Sequence, residues 1–307
     1  MKPKKLYVIG NGFDLHHKIP SSYSQFKEYV KIFDSELYYA IEDYLPVDDW
    51  WSDLEESFAH FDVYQLADSA LDFLQSYNSE KWSDSFHHDY QFEVSRVVSL
   101  LSVKLVEMFS EWINKLNIPK QSDLEVAPLY LDSEATFFSF NYTETLSKTY
   151  SIKDDQVLFI HGKSGGNRED IVLGHAWEPN KIPSLNSNIE HENTDTRIIE
   201  GNEILDSYFG NTFKPIKSLI QTNANYFGSL NEVSEVYILG HSLSDVDKEY
   251  FVNIAKAVSP LATWLVSYYG VEELNHHKKF LSNLGILEVR TVYFELASGI
   301  PQLNKPS

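Results

Sequence analysis

Strand-length apolar runs punctuate this chain. LYVI (Leu6 to Ile9) stops at Gly10; ATFFSF (Ala135 to Phe140), VLFI (Val157 to Ile160), IVLG (Ile171 to Gly174), EVYILG (Glu235 to Gly240), TWLVSY (Thr263 to Tyr268) and VRTVYF, with Arg290 inside it, follow. Their β-branched and aromatic content, bounded by glycine or polar residues, is that of buried strands. Helix-length segments separate the later runs, which suggests β-α-β units with strands running parallel. The expected fold is α/β: a Rossmann-like, doubly wound parallel sheet of about six strands flanked by helices.

After the first run the period changes. From Ser21 to about Leu116 the pattern is helical, with Val94, Val97, Val98, Leu101, Leu105, Phe109 and Trp112 at three- and four-residue steps until Pro119. Residues 21–118 are therefore expected to form a helical insertion or lobe within a single domain spanning 1–307. A second helical stretch runs from about Asp195 to Leu230. Glu178 to Asn193, rich in Asn, Pro, Ser and Glu, is expected to be a mobile loop. With 307 residues and 43% hydrophobic content, a sizeable core is available to all of this.

Composition removes several function classes. A formal charge of −20 repels phosphate backbones, and no run of Lys and Arg offsets it, so long nucleic acid is a disfavoured partner. A local anion site remains open, because backbone N–H groups and helix N-termini bind phosphate whatever the net charge. The absence of cysteine excludes disulfides, thiol nucleophiles and cysteine-based metal centres. The basic start MKPKKLYVIG reaches Asn11 too soon for a signal sequence or a membrane span, so a cytoplasmic location and no membrane partner are expected.

Four constellations bear polar groups at predicted strand ends. In LYVIGNGFDLHH, a strand leads through Gly10, Asn11 and Gly12 into a helix, the arrangement that brings a nucleotide's phosphates onto backbone amides. Leu15 stands where a dinucleotide fingerprint has glycine, so periodicity leaves a purely structural turn equally open. In FSFNYTETL, Asn141 lies at a strand's carboxyl end, as a ligand contact or as an αL turn or helix cap. In VLFIHGK, His161 follows a strand, where a general base and a hydrogen-bonded structural histidine are the two options. In VYILGHSLSDVD, Gly240, His241 and Ser242 precede Ser244 and Asp247, an S-x-x-D capping-box variant whose loop amides could hold the second half of a dinucleotide. The pairs His16/His17, His87/His88 and His276/His277 lack metal-ligand spacing, and no metal site is expected. WWSDLEESF, with Trp50, Trp51, Glu55 and Glu56, fits a packed helix start. Neither a G-x-S-x-G elbow nor a P-loop occurs.

In this order the motifs resemble the bacteriophage abortive-infection family AbiH. IGNGFDLHHKIPSSYSQF, with Asp14, His16, Pro20, Ser22, Tyr23 and Phe26, is close to that family's signature, and WWSDLEESF matches its tryptophan and acidic element. More distantly, FNYTETL, FIHGK, IVLGH and ILGHSLSDVD are similar to blocks of sirtuin-like NAD-hydrolysing defence domains. That resemblance implies an antiphage effector, an NADase, in which Gly10, Asn11, Gly12, Phe13 and Asp14, with Gly240, His241 and Ser242, bind the nucleotide. It implies that Asn141 contacts the ribose next to nicotinamide and that His161 is the base for water. NAD is then the substrate and no cofactor is required. Without cysteines the zinc module of deacetylating sirtuins is missing, so protein deacetylation is not expected. Asp14 and His16 depart from the sirtuin-like loop and mark altered substrate or chemistry.

Two other readings belong to different classes. One is a metal-dependent nuclease or nucleotide hydrolase, with Asp14, Glu55 and nearby histidines on a divalent cation. The other is a non-catalytic nucleotide-binding sensor or partner subunit. A homo-oligomer or a complex with another defence protein, and a phage-derived trigger, are expected because an NAD-consuming effector must be restrained until infection.

Overall fold

The computed structural model describes residues 3–74, 88–166, 170–190 and 194–302. His87 and residues 191–193 of the expected mobile loop lie outside the described residues. From the N-terminus come β1 (Lys5–Ile9), a short α1 (Asn11–His16), α2 (Tyr23–Phe33), α3 (Ser35–Tyr44), α4 (Leu54–Ser57), α5 (Val63–Ala70), α6 (Asp89–Ser99) and α7 (Leu105–Lys115). Next are β2 (Thr136–Ser139), α8 (Thr145–Tyr150), β3 (Val157–Phe159), α9 (Thr196–Asn211), α10 (Ile216–Thr222) and α11 (Ala224–Ser229). Then follow β4 (Glu235–Leu239), α12 (Lys248–Ala257), β5 (Thr263–Tyr268), α13 (Gly270–Asn283) and β6 (Thr291–Glu295).

All six strands are parallel and pair in the order β3-β2-β1-β4-β5-β6, flanked by helices, as expected of a doubly wound α/β fold. Strands in the middle of such a sheet are covered on both faces, which is why LYVI and VYIL are apolar without alternation. On one face Tyr7 stacks between Phe137 and Tyr237, ring centroids 5.1 and 4.7 Å away, because the register sets these three residues side by side. Phe13, Leu146 and Leu265 belong to the same cluster. The other face carries Phe138, packed at 5.9 Å against Phe227 of α11 and Tyr250 of α12.

Contacts divide the chain into two compact units. One comprises residues up to 22, 113–172 and 215–307 and holds the whole sheet. The other, residues 23–112 and 173–214, is helical over its described residues; residues 173–214 join it in addition to the stretch after β1. Within it Gly201 of α9 lies against the ring of Tyr90 on α6, where a Cβ would stand 2.3 Å from a ring carbon. The helical run expected through Trp112 contains a π-helical turn at Leu100–Lys104, where Ser102 Oγ donates to the Val98 carbonyl.

IVLG, expected as a strand, is not one. Val172 N–H reaches the His161 carbonyl at 3.0 Å, but the chain passes from one unit to the other between residues 172 and 173, and no ladder forms. Beyond it His175 and Phe213 make an isolated bridge, with Gly174 so close to Thr212 that a Cβ would sit 2.0 Å from its carbonyl oxygen. The segment expected as a mobile loop contains the short turns Pro179–Lys181 and Leu185–Asn188. Among the described residues no helix is long and apolar enough to cross a membrane.

Candidate functional site

Strand order reverses between β1 and β4, and doubly wound sheets bind ligands at the carboxyl ends beside that switch. Here the two turns lock together by backbone. Gly10 N–H donates to the Leu239 carbonyl, Gly12 N–H to the Gly240 carbonyl at 2.7 Å, and Phe13 N–H to the Gly10 carbonyl. Gly240 has φ +65°, and a Cβ there would lie 2.1 Å from Phe13 N; one on Gly10 would lie 2.5 Å from His241 Cα. Glycine is therefore required for contact between the two loops, and these three amides already have partners. Asn11 exchanges side-chain hydrogen bonds with Ser21, donating to its carbonyl and accepting from its hydroxyl at 2.9 and 2.6 Å, which closes the loop after α1.

Asp14 lies on α1 with no exposed surface. Thr143 Oγ1 donates to one carboxylate oxygen at 2.5 Å and Thr145 Oγ1 to the other at 2.7 Å. Burial lifts its pKa to about 6, against the lowering effect of the two hydroxyls and of Asn141 beside it. Asn141 is itself 6% exposed, and neither atom of its side-chain amide has a partner of hydrogen-bonding geometry. It serves neither structural purpose weighed for it: its φ is not positive, and Glu144, not Asn141, precedes α8. Its backbone is pinned by the hydroxyl of Ser139, the last residue of β2, which accepts from Asn141 N–H at 3.2 Å. A buried amide whose hydrogen-bonding capacity is incompletely used is costly, and a ligand's hydroxyls would relieve that cost.

His161 follows β3 by two residues and is buried against the rings of Phe140 and Tyr250, at 5.4 and 5.6 Å. Its Nε2 stands 4.0 Å from Asp247 Oδ1, while the other oxygen of that carboxylate is 3.5 Å from Nε2 of His241. The ring of Phe140 also touches His241, at 4.2 Å. The capping box expected at Ser244 and Asp247 does not form: neither side chain caps a helix. The S-x-x-D spacing instead turns the Asp247 carboxylate toward two histidines.

The sheet-bearing unit thus gathers Asp14, Asn141, His161 and His241 at strand carboxyl ends. Phe13 is buried under the sheet, and Ser242 is exposed. His17 is structural, bonded through Nδ1 to the Phe13 carbonyl and through Nε2 to Tyr150 Oη at 2.6 and 2.5 Å; burial lowers its pKa to about 4. Half-buried His16 packs against it, its pKa also lowered by burial. Glu55 belongs to the helical unit, where it accepts from Tyr23 Oη at 2.5 Å and pairs with the buried ammonium of Lys214. Among the described residues no group of three or more His, Asp or Glu side chains is placed to hold a metal ion. Sequence reasoning missed Thr143, Thr145 and the role of Asp247; the first two stood in the quoted FNYTETL, but nothing local said that their hydroxyls face Asp14.

Together the strand order and this edge define a Rossmann-like α/β protein with its polar residues collected beside the switch point. The family model for bacteriophage abortive infection AbiH matches residues 6–268, from β1 through β5, and the chain belongs to that family. No curated protein and no solved structure matches it.

Proposed function

We propose that this abortive-infection protein is an antiphage effector that hydrolyses NAD at the bond between nicotinamide and ribose. The observation that carries the reading is Asn141: a buried amide beside the Asp14 carboxylate whose two atoms lack partners of full hydrogen-bonding geometry, at the carboxyl end of β2 in the sheet that also presents His161. As nicotinamide leaves, positive charge develops on the ribose, so polar groups that hold the sugar and a base for the incoming water are what the reaction needs. Asn141 fits the ribose hydroxyls and His161 fits the base. Burial of both keeps bulk water from competing.

With the Gly10, Gly12 and Phe13 amides engaged, and those of Gly240 and Leu243 held by Ser267 Oγ and His241 Nδ1, the pyrophosphate contact falls to Asn11 N–H and to the His241, Ser242 and Ser244 part of the second loop. That engagement also favours a second reading, a sensor that binds a nucleotide or a partner without turning it over. The metal reading has less support, because Asp14 and Glu55 are each held by residues of their own unit.

The test is NAD consumption by purified protein and in cells after phage challenge. Asn141→Ala and His161→Ala should each reduce turnover by about 10²- to 10⁴-fold with unfolding temperatures near wild type. Wild-type protein that binds NAD calorimetrically, while cellular NAD stays level after phage challenge, would establish the sensor instead. Restraint before infection, by self-assembly or by a second defence protein, predicts that activity appears only after a phage-derived trigger.

A further inference from the structure

Asp247 occupies the position before α12, where an aspartate ordinarily accepts from the first N–H groups of the helix. Its side chain caps nothing there and lies between two buried imidazoles, 4.0 Å from His161 Nε2 and 3.5 Å from His241 Nε2. The loop that makes this possible is bent twice into the left-handed region, at Gly240 and at Leu243, with φ +65° and +55°. A leucine there is strained, and the strain has a visible return: Leu243 N–H donates to His241 Nδ1 at 2.9 Å. A neutral imidazole accepting at Nδ1 carries its proton on Nε2, the nitrogen that faces Asp247. The Leu243 carbonyl is in turn held by His276 Nε2 at 2.9 Å, so α13 supports the loop from outside.

We propose that Asp247 is a positioning residue for His161, stabilising the imidazolium formed during the reaction while His241 fixes the other carboxylate oxygen. This rests on the NAD reading above. In the step, the water oxygen bonds to C1′ of the ribose, and the C1′–N bond breaks with its electron pair passing to the nicotinamide ring, cancelling that ring's charge. The proton of the water goes to His161 and afterwards to solvent. The products are nicotinamide, ADP-ribose and a proton, and Asp247 stays ionised throughout. The groups facing His161 are Asp247, Tyr142 and Tyr250; those facing His241 are Asp247, Glu273 and His277.

The test uses the full chain with Asp247→Asn, Asp247→Glu, His161→Ala and the double change Asp247→Asn with His161→Ala. NAD turnover is followed from pH 5 to 9, and histidine titrations are followed by NMR without NAD. Asp247→Asn should lower kcat by about 100-fold, leave KM within about threefold, and move the acid limb of the kcat profile down by roughly one pH unit. Asp247→Glu should recover part of the rate, and the double change should be no slower than His161→Ala alone, because residues acting as one unit are not additive. Full turnover in Asp247→Asn, or losses that multiply, would overturn the proposal. The NMR arm separates it from the NAD reading. If wild type leaves NAD intact both in vitro and in phage-challenged cells yet two histidine titrations move in Asp247→Asn, the substrate is wrong and the coupling stands; if none moves, the coupling is wrong whatever the substrate.

Discussion

At the scale of single residues, Asp14 is a buried carboxyl whose protonation sets stability. Its carboxyl is raised by burial from 3.8 to about 6, so the folded protein holds that proton more tightly than the unfolded chain. Between about pH 4 and 6 its contribution to stability therefore falls as the pH rises, and above pH 6 the buried anion costs on the order of 3 kcal/mol relative to acid. Asp14→Asn keeps the shape and discards the charge. It should raise stability at pH 7 by about 1–3 kcal/mol, flatten the dependence from pH 4 to 6, and slow NAD turnover, a trade common at functional sites. A lower unfolding temperature at pH 7 would show that Thr143 and Thr145 compensate the charge better than burial penalises it. Asp14 was recognisable in the sequence as a departure from the sirtuin-like loop. What it touches was not, because Thr143 lies 129 positions away and no local spacing encodes that contact.

At the scale of elements, the two glycine turns form one clasp. Gly240→Ala combines a positive φ with a Cβ 2.1 Å from Phe13 N and should destabilise by about 3 kcal/mol or more; urea unfolding measures it. Gly210, exposed on α9 with open space where its Cβ would go, is the control, and Gly210→Ala should stabilise by roughly 0.5–1 kcal/mol. Equal effects would mean that the clasp yields easily. Six of the seven apolar runs lie on strands, each within two residues of its expected ends, because a buried parallel strand must be apolar throughout. IVLG shares that composition and fails for a reason composition cannot carry: the chain leaves the sheet-bearing unit inside it. The glycines of IGNG were legible as a turn; that the turn's partner is another turn was written only in three dimensions.

At the scale of the whole molecule, acid should be a general weakness. His17, His175 and His277 are buried, and burial lowers each pKa to about 4. A base whose folded pKa is depressed takes up its proton on unfolding, so the stability these three supply is complete above about pH 6.5 and is lost as the pH falls toward 4. Asp14 opposes the trend in part of that window, one group against three. In salt sufficient to screen the −20 charge, the urea midpoint should drop between pH 7 and pH 5; a level or rising midpoint would contradict it. Sheet order has a consequence in time as well. Leu6 pairs with Thr136 and Lys5 with Glu235, so the first strand made waits for partners synthesised long after it. Asp14, Asn141, His161 and His241 share no edge until β4 is in place, and Asp247 arrives later still. A nascent chain therefore carries Asn141 and His161 well before it carries His241 and Asp247, and on the proposal above a polypeptide abandoned before β4 lacks the carboxylate that supports His161.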